Sequence, residues 1–86
     1  MPVPAHQCAL ARTFAENVRE QRERQGMSQE ELAERAGVHR TYIGMIERCE
    51  KNVTIYNIER IAEALEAEPG LLLTVRKKTT RKSSSR

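Results

Sequence analysis

The chain has 86 residues, with 15 Lys and Arg against 12 Asp and Glu and a formal net charge of +3. That length fits one small domain with a modest core, whose stability would gain from pairing with a second copy; it holds no run of 18 apolar residues to cross a membrane. The charge is uneven: residues 76–86 contain Arg76, Lys77, Lys78, Arg81, Lys82 and Arg86 and no acid, so residues 1–75 carry a net −3, and any case for a nucleic-acid partner must rest on where the cations sit.

Residues 1–8 include two prolines and few periodic apolar positions, and read as a flexible arm. Leu10, Phe14 and Val18 then recur at i, i+4 and i+8 with Ala11 and Ala15 beside them, which predicts a helix from Leu10 to Gln25 with those residues facing inward. Gly26 ends it, after Arg22 and Arg24 in a last turn where cations suit the helix dipole. Glutamates on this helix and the next form a solvated face with arginines four residues away, such as Glu20 with Arg24.

Ser28 followed by Glu31 is a capping box and opens a second helix to about Arg35, with Leu32, Ala33 and Ala36 inward. Gly37 supplies the left-handed residue that a tight helix-to-helix turn requires. A third helix runs from about His39, a weak capping residue, to Arg48, with Ile43 and Ile46 inward. After the polar loop Cys49-Glu50-Lys51-Asn52, Thr54 caps a fourth helix to about Glu66, striped by Ile58, Ile61, Ala62 and Leu65. Pro69-Gly70 breaks the chain before a last short apolar segment, Leu71-Leu72-Leu73. Residues 76–86 are rich in Lys, Arg, Ser and Thr, cannot bury a core, and read as a disordered basic tail. The expected fold is all-α, a five-helix domain over residues 9–75.

Two short helices joined by a glycine-containing turn, with a further helix packed behind them, form the helix-turn-helix layout. Small Ala33 lets the two helices approach, Gly37 makes the turn, and Ile43 and Ile46 anchor the third helix so that its other face stays free. That face carries Arg40, Thr41, Gly44 and Met45, with Tyr42 to one side. Arginine can pair with the O6 and N7 edge of guanine in the major groove, and threonine or methionine can meet a thymine methyl or a base edge. Alone, Arg40 would be an ordinary solvated arginine; the layout makes it a candidate. Gln29, in the first turn of the second helix, suits a phosphate oxygen, and Arg48, Lys51 and Asn52 would face the flanking DNA backbone.

From about Val18 to Leu73 the chain resembles the phage-repressor and Cro type of helix-turn-helix domain. Met27-Ser28-Gln29-Glu30-Glu31-Leu32-Ala33 matches that family's second helix. Arg40-Thr41-Tyr42-Ile43-Gly44-Met45-Ile46-Glu47-Arg48 matches its third, and is most similar to the controller proteins of restriction–modification systems. The resemblance implies base contacts from Arg40, Thr41 and Met45, and phosphate contacts from Gln29, Tyr42, Arg48 and Asn52. It implies a buried ion pair between Arg22 and Glu47, and a dimer interface at Leu65 and Leu71 to Leu73. The chain departs from the family pattern at His39, where a better cap is usual, and at Cys49, where glycine or asparagine is common.

The expected function is a sequence-specific transcription regulator, a homodimer on a palindromic double-stranded operator that governs its own synthesis. An antitoxin or protein-bridging module of the same fold, with another protein as its main partner, is the alternative; non-specific binding through the tail is a third. Cys8 and Cys49 lack metal-ligand spacing and read as free thiols, and His6 and His39 have no carboxylate or nucleophile at a telling distance. No catalysis, metal, cofactor, membrane or small-molecule ligand is expected. The opening Met1-Pro2-Val3-Pro4-Ala5-His6 does not read as a secretion signal, so the expected location is the cytoplasm.

The tail yields a test. Removing residues 76–86 is expected to weaken binding to any duplex by similar factors and to flatten the slope of log affinity against log salt by roughly 2 to 4, from two to four lost phosphate contacts. Salt titrations of full-length and truncated protein check this; identical slopes would leave the tail without a DNA role.

Overall fold

The computed structural model describes residues 4–75. A short 3-10 turn, Ala5–Gln7, precedes five helices: α1 (Ala9–Arg24), α2 (Gln29–Ala36), α3 (Arg40–Glu47), α4 (Ile55–Leu65) and α5 (Pro69–Leu72). Among the described residues there is no strand, so the all-α expectation holds. The basic tail lies outside the described residues.

One core joins every helix. Phe14 and Val18 of α1, Leu32 of α2, Ile43 and Ile46 of α3, Ile61 and Leu65 of α4 and Leu72 of α5 are essentially buried. α2 packs against both α3 and α4, while α5 bridges α1 and α4. Helix starts follow local chemistry. Ser28 Oγ accepts from the Glu31 amide at 2.9 Å, and Thr54 Oγ1 accepts from the Asn57 amide at 3.1 Å. His39 does cap α3: its Nδ1 accepts from the Thr41 amide at 3.1 Å.

Helix ends depend on long side chains from elsewhere in the fold. Terminal carbonyls have no partner within their own helix. Gln25 Nε2 donates to Leu65 O at 2.8 Å, closing α4, and Arg60 Nε donates to Ala36 O at 3.2 Å, closing α2. Asn17, buried on α1, donates through Nδ2 to Leu72 O and Thr74 O, each at 2.9 Å, and so fastens the end of α5. Gly37 has φ +75°, a left-handed conformation that favours glycine, and a Cβ there would lie 2.6 Å from Arg60 Nη2, so the arginine tip would have to move.

The structure corrects several expectations. Leu10 is not inward but 53% exposed; α1 turns Phe14, Ala15 and Val18 to the core instead. The described part of the arm makes contact with the domain: Ala5 is buried, and the Cys49 thiol donates to its carbonyl at 3.3 Å. Cys49 itself takes φ +59°, the conformation for which glycine is favoured, and the Glu50 amide reaches back to Met45 O at 2.8 Å to close α3. Pro69 opens α5 rather than ending structure, because its fixed φ suits the first helical position.

Leu65 and Leu72, expected at a partner surface, are 1% and 0% exposed within the protomer, which leaves only the exposed Leu71 and half-buried Leu73 of that set for a second copy. Gly44, expected on the free face of α3, is buried as well. Leu72→Ala is therefore expected to cost about 2–5 kcal/mol, while Leu71→Ala should cost far less. Urea unfolding of the two variants checks the contrast, and equal midpoints would contradict the placement of Leu72.

Candidate nucleic-acid interface

The orientation of α3 is set by a carboxylate at its last residue. Glu47 is buried, with a side chain 2% exposed. Arg22 Nε donates to Glu47 Oε2 at 2.7 Å and Arg22 Nη2 donates to Oε1 at 3.0 Å, the two-pronged pairing for which guanidinium is shaped. Gln29 Nε2 adds a third hydrogen bond to Oε1 at 3.0 Å, and Arg22 Nη1 donates to Met27 O at 2.8 Å. The Glu47 hydrogen bond is the main reason that the Arg22 guanidinium holds its proton more tightly than usual, against an opposing effect of burial. This one cluster ties the end of α1, the turn before α2, the start of α2 and the end of α3 together. The ion pair that the resemblance implied is present.

Gln29 thus has a structural partner that the sequence did not disclose. Its side-chain nitrogen is engaged by Glu47, and its Oε1 points to the neighbourhood of Gly44. Arg40 and Thr41 stand exposed on the first turn of α3. Arg40 Nη1 lies 3.9 Å from Glu30 Oε1, with both side chains mostly in solvent, so the pair is weak and easily exchanged. Met45 is half-buried, less available than the free face of α3 suggested.

Tyr42 is half-buried against the core, and its hydroxyl accepts from Asn57 Nδ2 at 2.9 Å, which leaves its own proton to donate outward. At the other end of α3, Arg48 Nε lies 3.1 Å from Glu50 Oε2, and Nη2 donates to Oε1 at 3.2 Å. Lys51 and Asn52 are exposed in the loop that follows. The structure therefore places Arg40 and Thr41 at one end of α3 and Arg48 at the other, with Gln29 Oε1 and Arg48 Nη1 each near the position a Cβ on Gly44 would take. Sequence reasoning missed Glu30, Glu50 and Asn57 as partners of these groups. Only Asn57, three residues after the Thr54 cap, sat in a recognisable local motif.

Residues 18–72 match the helix-turn-helix family. The chain belongs to that family. Control protein C.SmaI of Serratia marcescens is 52% identical over 61 residues, which are 71% of this chain and 73% of that protein. Among solved structures, the restriction-modification controller protein C.AhdI of Aeromonas hydrophila superposes with a TM-score of 0.72 at 42% identity, covering 76% of this chain and 98% of that one. The controller protein C.Esp1396I, solved as a tetramer with its natural 35-base-pair operator, gives a TM-score of 0.72 at 33% identity over 77% of this chain and 87% of that one. The chain is thus a DNA-binding helix-turn-helix regulator of the restriction–modification controller type, as the resemblance of α3 implied.

In this helix-turn-helix domain, removing one partner of the buried pair strands the other charge. Glu47→Ala is expected to cost about 3–5 kcal/mol, whereas Glu50→Ala, at an exposed pair, should cost far less. Thermal melts of the two variants check this; matching melting temperatures would sink the account of Glu47.

Proposed function

We propose that the chain acts as a homodimer on a roughly palindromic operator and regulates the genes of a restriction–modification system, its own among them. The observation that carries this reading is the first turn of α3, with Arg40 and Thr41 exposed to solvent on a helix whose other end is fastened through Glu47. Two such helices related by a two-fold axis would enter successive major grooves about one turn of DNA apart.

Arg40 and Thr41 read base edges, with Met45 a lesser contributor because of its burial. Gln29, Tyr42, Arg48, Lys51 and Asn52 hold the backbone and set the register. Residues 9–75 form the DNA-binding unit and act in the cytoplasm. The operator-bound C.Esp1396I assembly, in a protein 33% identical to this one, supports both the partner and the oligomeric habit. With Leu65 and Leu72 spent on the core, the pairing surface is the edge bearing Leu71 and Leu73, next to exposed Val75. The controller proteins that the chain is similar to are regulators and not enzymes, and control through the protein's own concentration needs no small-molecule effector.

Selection from a random pool of duplexes tests the reading: a palindromic consensus is expected, and its absence would overturn specific dimeric binding. On the selected operator, Arg40→Ala should cost about 1–3 kcal/mol and relax preference at one base pair per half-site, with little effect on random duplex. Equal losses on both would make Arg40 a backbone contact only.

A further inference from the structure

Asn57 stands where another residue type would serve its own helix better. It is the third residue of α4, three places after the Thr54 cap, and its backbone amide donates to Thr54 Oγ1 at 3.1 Å. At that position a glutamate completes a capping box, and a negative charge suits the positive end of the helix dipole. α2 follows this rule, with Glu31 three places after Ser28, whereas the first turn of α4 has no acid.

The Asn57 side chain is used elsewhere. Its Nδ2 donates to the Tyr42 hydroxyl at 2.9 Å, reaching from α4 to the first turn of α3. Both residues are half-buried and the Tyr42 ring packs against the core, so neither end of the contact swings freely. A phenol oxygen that accepts from one side sends its own proton to another. Among the described residues, Asn57 is the one hydrogen-bond partner of that hydroxyl. Resting on the reading above that Tyr42 touches the DNA backbone, we propose that Asn57 is a positioning residue for that contact: as a donor it occupies the hydroxyl oxygen, and so aims the Tyr42 O–H at a phosphodiester oxygen, which can only accept. A carboxylate at this position would do the reverse, taking the tyrosine proton and turning the lone pairs of the phenol oxygen toward the phosphate. The ligand is a backbone phosphate, so the effect carries no base preference.

The test compares wild type, Asn57→Asp, Asn57→Ala, Tyr42→Phe and the two double variants, each by melting temperature and by titration against the selected operator and a random duplex. Asn57→Asp is expected to melt at or above the wild-type temperature, because an acid suits the first turn of a helix. It should nevertheless bind both duplexes about tenfold more weakly, the scale of one hydrogen bond to a charged group, and Tyr42→Phe should lose about as much. In the Tyr42→Phe background, Asn57→Asp should lose clearly less than it does alone, the remainder being repulsion by the added charge. Asn57→Ala adds no charge and only frees the hydroxyl to turn; it should cost about threefold alone, and nothing in the Tyr42→Phe background.

Wild-type affinity in Asn57→Asp, or Asn57 losses that are the same with and without the Tyr42 hydroxyl, would overturn the proposal, since Asn57 would then not act through Tyr42. A melting temperature of Asn57→Asp clearly below wild type would overturn it too, by making Asn57 a packing residue. Wild-type affinity in Tyr42→Phe would remove the backbone contact on which the proposal rests. A wild-type protein that binds neither duplex would instead defeat the DNA-binding reading itself.

Discussion

The buried carboxylate of Glu47 is the constraint on which the working surface depends. A charge removed from water is tolerable only when it is paired and its hydrogen-bonding capacity is filled. Here the two oxygens take two bonds from Arg22 and one from Gln29, so the requirement is met only when α1, α2 and α3 are all in place. Apolar packing of Ile43 and Ile46 holds α3 against the core but tolerates small rotations and slides. The directional contacts at Glu47 do not. They fix how α3 is turned, and with it which side chains of its first turn face outward.

The same economy appears at the other helix ends. A core this small has few apolar contacts to spare, and each short helix exposes a large share of its terminal carbonyls. Gln25, Arg60 and Asn17 each reach from one helix to close another. Secondary structure and tertiary structure therefore form together: α5, four residues long, could not stand as an isolated helix. Asn17 and Leu72 hold it, one through hydrogen bonds and the other through burial.

Much of the fold was legible because it follows short-range rules. The 3.6-residue stripe of α4, the Ser28 and Thr54 caps and the left-handed Gly37 are local signals, and the structure contains each of them. Errors came where tertiary packing decides. Leu10 and Leu72 are the same residue type, each in a run of apolar neighbours, yet one is exposed and the other buried; the difference is whether another helix covers the position. Gly44 read as part of the free face because a missing side chain looks neutral in a sequence, although the position is buried. The pair Arg22–Glu47 came from family resemblance, not from spacing, since nothing local links residues 25 apart. The partners of Arg40 and Arg48 were hidden for the same reason in the first case and by their ordinary surface character in both.

Those partners bear on how cations at such an edge can act. Arg40 has Glu30 at 3.9 Å and Arg48 has Glu50 at 3.1 Å, so each arginine on α3 already has a carboxylate beside it. Exposed pairs of this kind are weak, which lets a phosphate or a guanine edge replace the carboxylate at small cost. The replaced acid still lies close by and repels a phosphate that is poorly placed. Net attraction is therefore less than a count of arginines implies, and geometry decides the outcome: a bidentate partner in the right position gains more than the carboxylate provided, while loose electrostatic approach gains little. A folded region with net charge −3 is for this reason compatible with a nucleic-acid partner, and total charge was the wrong place to look for one.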